Sequence, residues 1–244
     1  MASPLRRLNG VSSVTSDDPM GDIPYLDPTK WITFMDDFAL IPDAGEAWTH
    51  TNTNGTLAVA ADTTNDVPTI TTQTLGGADN DLSQLYPATA TMTITAAKKA
   101  VFEAKIKVDK GSGGTIGQQE LFLGLSSAQT GADFMASDGL SMAVDDCVGF
   151  VSYDGSANIN CIVRDTDVES VDTGATTYAD ATWFTLSWRY NGAGTVTFYK
   201  DNSQLATISD IPEDTALTPM MFIKGGEAKA SVLSTDYIFY ARER

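Results

Sequence analysis

Two stretches alternate apolar and polar residues with a period of two, and they constrain the fold more than any other feature of the chain. Over residues 101–108, Phe102, Ala104, Ile106 and Val108 alternate with Glu103, Lys105 and Lys107. Over residues 183–190, Phe184, Leu186, Trp188 and Tyr190 alternate with Thr185, Ser187 and Arg189. Successive side chains of a strand point to opposite faces, so each stretch reads as a strand with one face in a core and the other toward water.

Shorter runs repeat the theme. Residues 148–153 and 159–164 flank Asp154-Gly155 and read as a hairpin. Residues 195–200, with Val196 and Phe198 inward, pair through Asp201-Asn202-Ser203 with residues 205–208. Residues 31–38 form a first core strand, 120–125 a more buried one, and 220–224 and 232–240 close the chain. Residues 50–95 read as short strands and long loops. No amphipathic helix emerges. Residues 93–100 hold at most one helical turn, and 127–136 are a weak helix candidate. Many strands separated by turn signals imply an all-β fold, a two-sheet antiparallel jelly-roll sandwich over residues 31–244. A chain of 244 residues fits one such domain.

Residues 1–30 differ. Pro4, Pro19, Pro24 and Pro28, four of the nine prolines, fall here. Proline fixes φ and removes a donor, which excludes a long helix or a central strand. Leu5, Leu8, Val11, Val14, Ile23 and Leu26 are scattered without a helical or strand period, and the charge is near balance. The segment reads as an extended N-terminal arm whose apolar residues need a surface to lie on.

The 32 acidic and 15 basic residues give a net charge of −17, a surface that repels phosphate backbones and anionic lipids. Neither nucleic acid nor a membrane is expected as a partner. Polar Asn9, Ser12, Ser13, Thr15 and Ser16 stand where a secretory signal would place an apolar block, so synthesis in a cytoplasm is expected. Cys147 and Cys161 flank the Asp154-Gly155 turn. A bridge between paired strands and two buried free thiols both remain open, the second fitting a reducing compartment.

Residues 183–208 resemble the concanavalin A-like, laminin-G-like jelly rolls. The strand W-x-x-L-x-W at Trp183, Leu186 and Trp188 precedes a glycine turn. V-T-F-Y-K-D-N, residues 196–202, stands where relatives often have V-x-L-Y-V-D-G. Asp36-Asp37-Phe38 and the terminal S-T-D-Y-I-F-Y-A-R resemble the first and last strands, which pair in such folds. The opening M-A-S-P-L-R-R-L-N-G-V-S-S-V-T-S-D-D-P-M-G, with D-P-T-K-W-I-T-F-M-D-D-F, is similar to that of tailed-phage virion structural proteins, in which an extended arm precedes a lectin-like jelly roll. This resemblance implies a capsid decoration (cement) protein on the outer capsid surface. Its implied partners are the major capsid protein and neighbouring copies of itself, with a homo-oligomer compatible. Leu5, Leu8, Val11, Val14, Ile23 and Leu26 would be the arm's anchors, and Arg6 and Arg7 would pair with partner carboxylates. The alternative is a carbohydrate-binding, lectin-like module of a tail or fibre protein, recognisable by an exposed aromatic cluster; Trp48, Tyr153, Tyr178 and Trp183 are its candidates.

Catalytic chemistry has little to work with. Any Ser-His or Cys-His centre would have to use His50, the one histidine. Two Cys and one His starve a zinc site. A glucanase-like enzyme of this fold would carry an E-x-D-x-E strand, and no such triplet occurs among the seven glutamates. No catalytic residue and no cofactor is therefore expected. Calcium is the alternative to an empty loop, with Asp79-Asn80-Asp81 and Asp165-Thr166-Asp167 as its candidates. Asp36-Asp37 and Asp145-Asp146 read as backbone-bonding or solvated acids.

Overall fold

The computed structural model describes residues 7–8, 11–12, 29–38, 48–63, 67–87, 92–127, 134–135, 142–166 and 168–244. Every regular element among them is a strand. In chain order these are β1 (Arg7–Leu8), β2 (Val11–Ser12), β3 (Trp31–Asp36), β4 (Trp48–Thr53), β5 (Gly55–Asp62), β6 (Val67–Leu75), β7 (Leu82–Pro87) and β8 (Met92–Thr93). They continue with β9 (Ala100–Asp109), β10 (Gln119–Ser126), β11 (Cys147–Ser152), β12 (Asn158–Asp165) and β13 (Val168–Thr177). The last are β14 (Trp183–Tyr190), β15 (Thr195–Lys200), β16 (Ser203–Ser209), β17 (Ala216–Gly225) and β18 (Val232–Glu243).

Two antiparallel sheets face each other. Sheet 1 has the order β13-β12-β11-β10-β17-β7-β4, with β8 also on β17. Sheet 2 has the order β16-β15-β14-β9-β18-β6-β5, with β3 also on β18. The expected strand 101–108 is β9, at the centre of sheet 2 between β14 and β18. Its alternating residues enter the inter-sheet core with those of β14: Phe102 stacks on Trp188 at 5.8 Å, and Trp188 meets Tyr240 edge-on at 6.4 Å. The first and last strands of the body pair as the resemblance implies, from Asp36 opposite Ile238 to Trp31 opposite Glu243. The hairpin around Asp154-Gly155 is β11–β12, with Gly155 at φ +78°.

Asp36 is a structural acid. Its Oδ1 accepts the amide of Phe38 at 2.7 Å, and its Oδ2 accepts Trp48 Nε1 at 2.7 Å. Phe38 is fully buried at φ +54°, a costly conformation for a bulky residue, and the Asp36 contact holds it there.

Three expectations are amended. Residues 93–100 are not helical: Ile94 bridges Glu213, and a turn with Ala97 at φ +61° leads into β9. The candidate helix over 127–136 lies partly outside the described residues, and Phe134 and Met135 within it belong to no helix. The arm is not extended throughout, because β1 folds back on β2 with Arg7 opposite Ser12 and Leu8 opposite Val11. Between them in the sequence stands Asn-Gly, residues 9–10, the strongest short-range hairpin signal a sequence carries.

Candidate functional site

The outer face of sheet 1 is where this sandwich departs from a plain two-layer design. Register places Phe122, Phe222, Met220, Leu82, Tyr86, Cys147, Val151 and Ile162 on that face, away from sheet 2. β10 and β11 are consequently buried on both sides. Phe134, Met135, Met142 and Val144 supply the cover. Phe134 sits 4.7 Å from Phe122 and 5.6 Å from Phe222, ring centroid to ring centroid. Arg164 Nη1 donates to the Met142 carbonyl at 2.7 Å, and Ala143 N donates to the Phe134 carbonyl at 3.0 Å. Burying each such apolar side chain stabilises the arrangement by about 2 kcal/mol.

Gly124 and Gly149 face each other under this cover. A Cβ on Gly124 would lie 2.3 Å from the Val148 carbonyl oxygen, and one on Gly149 would lie 2.4 Å from that of Leu123. Only glycine permits this approach of β10 to β11. Beside them, Lys224 and Glu120 form an ion pair at 3.4 Å, their side chains only 2% and 3% exposed. Arg164 and Glu169 pair at 3.5 Å on the same face. Among the described residues, Glu120 and Glu169 on this face are thus each paired with a cation.

His50 is held by its neighbours in a way that opposes nucleophilic chemistry. Asn52 Oδ1 accepts the Gly55 amide at 3.1 Å, which leaves Asn52 Nδ2 to donate to His50 Nδ1 at 3.4 Å. The imidazole proton is therefore on Nε2 and is donated to Ser83 Oγ at 2.8 Å. Ser83 Oγ also accepts Gln73 Nε2 at 3.0 Å, and Ser83 is fully buried. A general base would need the reverse polarity, taking a proton from an accessible hydroxyl. Burial lowers the pKa of His50 from its ordinary 6.5, which keeps it neutral.

The other candidates scatter. Trp48 and Tyr178 lie in the inter-sheet core, Tyr153 packs on the covered face of sheet 1, and Trp183 lies on the outer face of sheet 2. Trp183 donates its indole N–H to Asp62 at 3.0 Å beneath Lys105 and Lys107, so the four aromatics share no exposed face. Asp81 Oδ2 accepts the Ala78 amide at 2.7 Å and Asn54 Nδ2 at 3.3 Å. Asp165 Oδ1 accepts the Thr166 hydroxyl, and Asp167 lies outside the described residues. Among the described residues no group of three or more His, Cys, Asp or Glu is placed to hold a metal ion. Of the proposed arm contacts, Leu5, Arg6, Val14, Ile23 and Leu26 lie outside the described residues, and Arg7, Leu8 and Val11 are described only through the β1–β2 pairing.

Cys147 stands opposite Arg164, and Cys161 stands opposite Phe150, three positions away. That offset is odd, so the thiols point to opposite faces, Cys147 to the covered face and Cys161 to the inter-sheet core. Both are free and buried. Burial pushes both thiols up, Cys161 to about 12, and leaves them unreactive.

One open cleft of about 430 Å³ lies where the sheet edges β13 and β16 approach. It is lined by Ser170, Val171, Asp172, Thr173, Thr207, Ile208 and Ser209.

Solved structures share this architecture. The globular domain of Trypanosoma cruzi calreticulin superposes with a TM-score of 0.59 at 11% identity, covering 85% of this chain and 87% of that one. The endo-1,3-β-glucanase of Streptomyces sioyaensis gives 0.58 at 9% identity, covering 88% and 98%. Peanut lectin gives 0.57 at 12% identity, covering 87% and 97%. The fold is a concanavalin A-like sandwich. No protein-family model matches the sequence, and no curated protein matches it. At these identities the likeness concerns the fold alone.

Sequence reasoning missed the cover on sheet 1 and the Glu120–Lys224 pair. The signal for the first was five large apolar residues, Phe134, Met135, Leu140, Met142 and Val144, in a stretch otherwise composed as a loop.

Proposed function

We propose that this chain is a non-catalytic structural component of a virion, a capsid decoration protein made in the host cytoplasm. It acts on the outer capsid surface, with residues 1–30 and the sandwich surface as its means of attachment. The observation that carries this reading is the filled face of sheet 1. Phe134, wedged between Phe122 and Phe222, occupies with the chain's own side chains the kind of broad sheet face on which a ligand groove would be built. What remains for function is the exterior of a rigid body and the leader attached to it. Cementing needs no pocket, because a lattice multiplies many weak contacts. The opening sequence, similar to that of tailed-phage virion proteins, supports the same reading. Quantitative protein analysis of purified particles tests it: a copy number comparable to that of the major shell protein is expected, and a handful of copies would instead indicate a tail part.

A second reading is a carbohydrate-binding module. Peanut lectin shares the fold, and the β13–β16 cleft offers the hydroxyls of Ser170, Thr173, Thr207 and Ser209 beside Asp172. A glycan array with and without calcium separates the two readings, since robust sugar binding would favour the second. Incubation with β-glucans is expected to yield no products.

A further inference from the structure

Sheet 2 ends on β5, which pairs with β6 and with no other described strand. A terminal strand presents a row of unpaired N–H and C=O groups, and folded proteins ordinarily blunt it with lysine, another charge or proline. β5, Gly-Thr-Leu-Ala-Val-Ala-Ala-Asp, carries none of these before Asp62. Ala58, Val59, Ala60 and Ala61 are exposed in succession, so both faces of the strand are open. The other sheet ends differ. β13 carries Glu169 and Asp172 and approaches β16 across the polar cleft. On β4 exposure is confined to Asn52 and Thr53.

The exposed run of β5 is uncharged on a chain whose net charge is −17. The acid that follows it, Asp62, is buried and accepts Lys107 Nζ and, at 3.0 Å, Trp183 Nε1. Two copies of so acidic a body repel, and they repel least where they meet through an uncharged strip.

The edge is also its own complement. Its register with β6 is regular from Gly55 to Ala60 and shifts between Ala60 and Asp62. Leu57 and Val59 stand opposite the buried Gln73 and Thr71 and share the core-side face, while Thr56, Ala58 and Ala60 face outward. Residues 56–60 therefore read small, branched, small, branched, small in either direction. An antiparallel pair of identical strands has two-fold symmetry, so this palindrome fits the same edge of a second copy, a match that an unrelated strand does not require.

We propose that β5 is a homodimerisation edge: residues 56–60 of two copies pair antiparallel about Ala58 and join two eight-stranded sheets into one. In that register Leu57 of one copy stands opposite Val59 of the other, and Thr56 stands opposite Ala60. Val59, 42% exposed in one copy, gains an apolar neighbour. The pairing closes on itself, because each copy uses its β5 edge once. Five opposed residues span about 17 Å, a contact of the small, transient class, so a dissociation constant on the order of 100 μM is expected. The inference does not rest on the capsid reading, and its test contains no capsids, so the two fail separately.

The test is sedimentation velocity on the full chain from about 10 μM to about 1 mM. The unaltered chain should pass from monomer to dimer and no further. Association should tighten between low salt and about 0.5 M NaCl, because the contact is uncharged and salt screens the repulsion between the bodies. Ala58→Lys and Ala58→Glu each set like charges opposite one another, and each alone should weaken dimerisation about fivefold or more. Their equimolar mixture should associate more tightly than either, since lysine then faces glutamate. Ala58→Cys is a milder second variant. Directly opposed residues are close enough for a disulfide, and the native thiols are buried, so oxidation should give a covalent dimer. Thr207→Cys on β16 should stay monomeric under the same treatment. A chain that remains monomeric at the highest concentration, assembly that continues past the dimer, or association that weakens with salt would each overturn the proposal. So would charge variants that dimerise as tightly as the unaltered chain, a mixture no tighter than its components, or an Ala58→Cys chain that does not cross-link.

Discussion

The ring of Phe134 lies 4.7 Å from that of Phe122, and the contact joins a segment outside the strands to the middle strand of sheet 1. It turns what would be a one-sided sheet into a buried layer. Phe122 on β10 and Phe222 on β17 are direct cross-strand partners, so Phe134 inserts where two aromatic side chains already stand side by side.

Truncating that wedge removes the ring without a replacement. Phe134→Ala should cost about 3 kcal/mol, the usual range for a buried phenylalanine. It should also expose the outer face of sheet 1 to the hydrophobic dye ANS. Urea unfolding checks the energy and dye fluorescence the exposure. An unchanged midpoint with no dye binding would show that Phe134 contributes nothing to closing this face.

The Glu120–Lys224 pair lies on the same face of sheet 1 and is buried, so a single charge there has no water to turn to. Lys224→Met alone should destabilise by about 3 kcal/mol, because it strands a buried carboxylate. Adding Glu120→Leu should recover most of the loss, since a well-packed apolar pair substitutes for a buried ion pair at little cost. Denaturant curves for the two single variants and the double variant measure this directly.

His50 gives a pH dependence whose sign follows from burial. Its folded pKa is lowered from 6.5, so below that pH the unfolded chain binds a proton that the folded chain refuses. The His50 contribution is thus fully present above about pH 6.5 and is lost as the pH falls toward its folded pKa. Thermal melts of the protein and of His50→Gln should have nearly the same pH profile above that point. Below it, the unaltered protein should lose stability more steeply. Parallel profiles throughout would show that His50 titrates alike in both states.

The strands were legible where one face meets water. On β9 and β14, Lys105 and Arg189 mark the exposed side as clearly as Phe102 and Trp188 mark the core, and both strands form as expected. β10 and β17 gave only apolar runs, because both their faces are buried, and nothing local says what lies on the second face. The contact of Phe134 with Phe122 joins segments distant from the strand in sequence, and periodicity does not record it. The thiols show the same limit. Spacing alone left a Cys147–Cys161 bridge open, and the β11–β12 register, with Cys161 opposite Phe150, excludes it. Asn9-Gly10, between the residues of β1 and β2 in the sequence, is a hairpin signal that the reading of residues 1–30 as an extended arm did not use.

The role assigned to the leader can be tested on capsids. A chain lacking residues 2–28 is added to particles stripped of this protein, and the bound fraction is compared with that of the full chain by sedimentation. Near-ultraviolet circular dichroism first confirms that Trp188 and its aromatic neighbours are still packed. The account predicts a folded body that remains in the supernatant while the full chain pellets with the particles. A folded, leaderless body that pellets as completely as the full chain would contradict it.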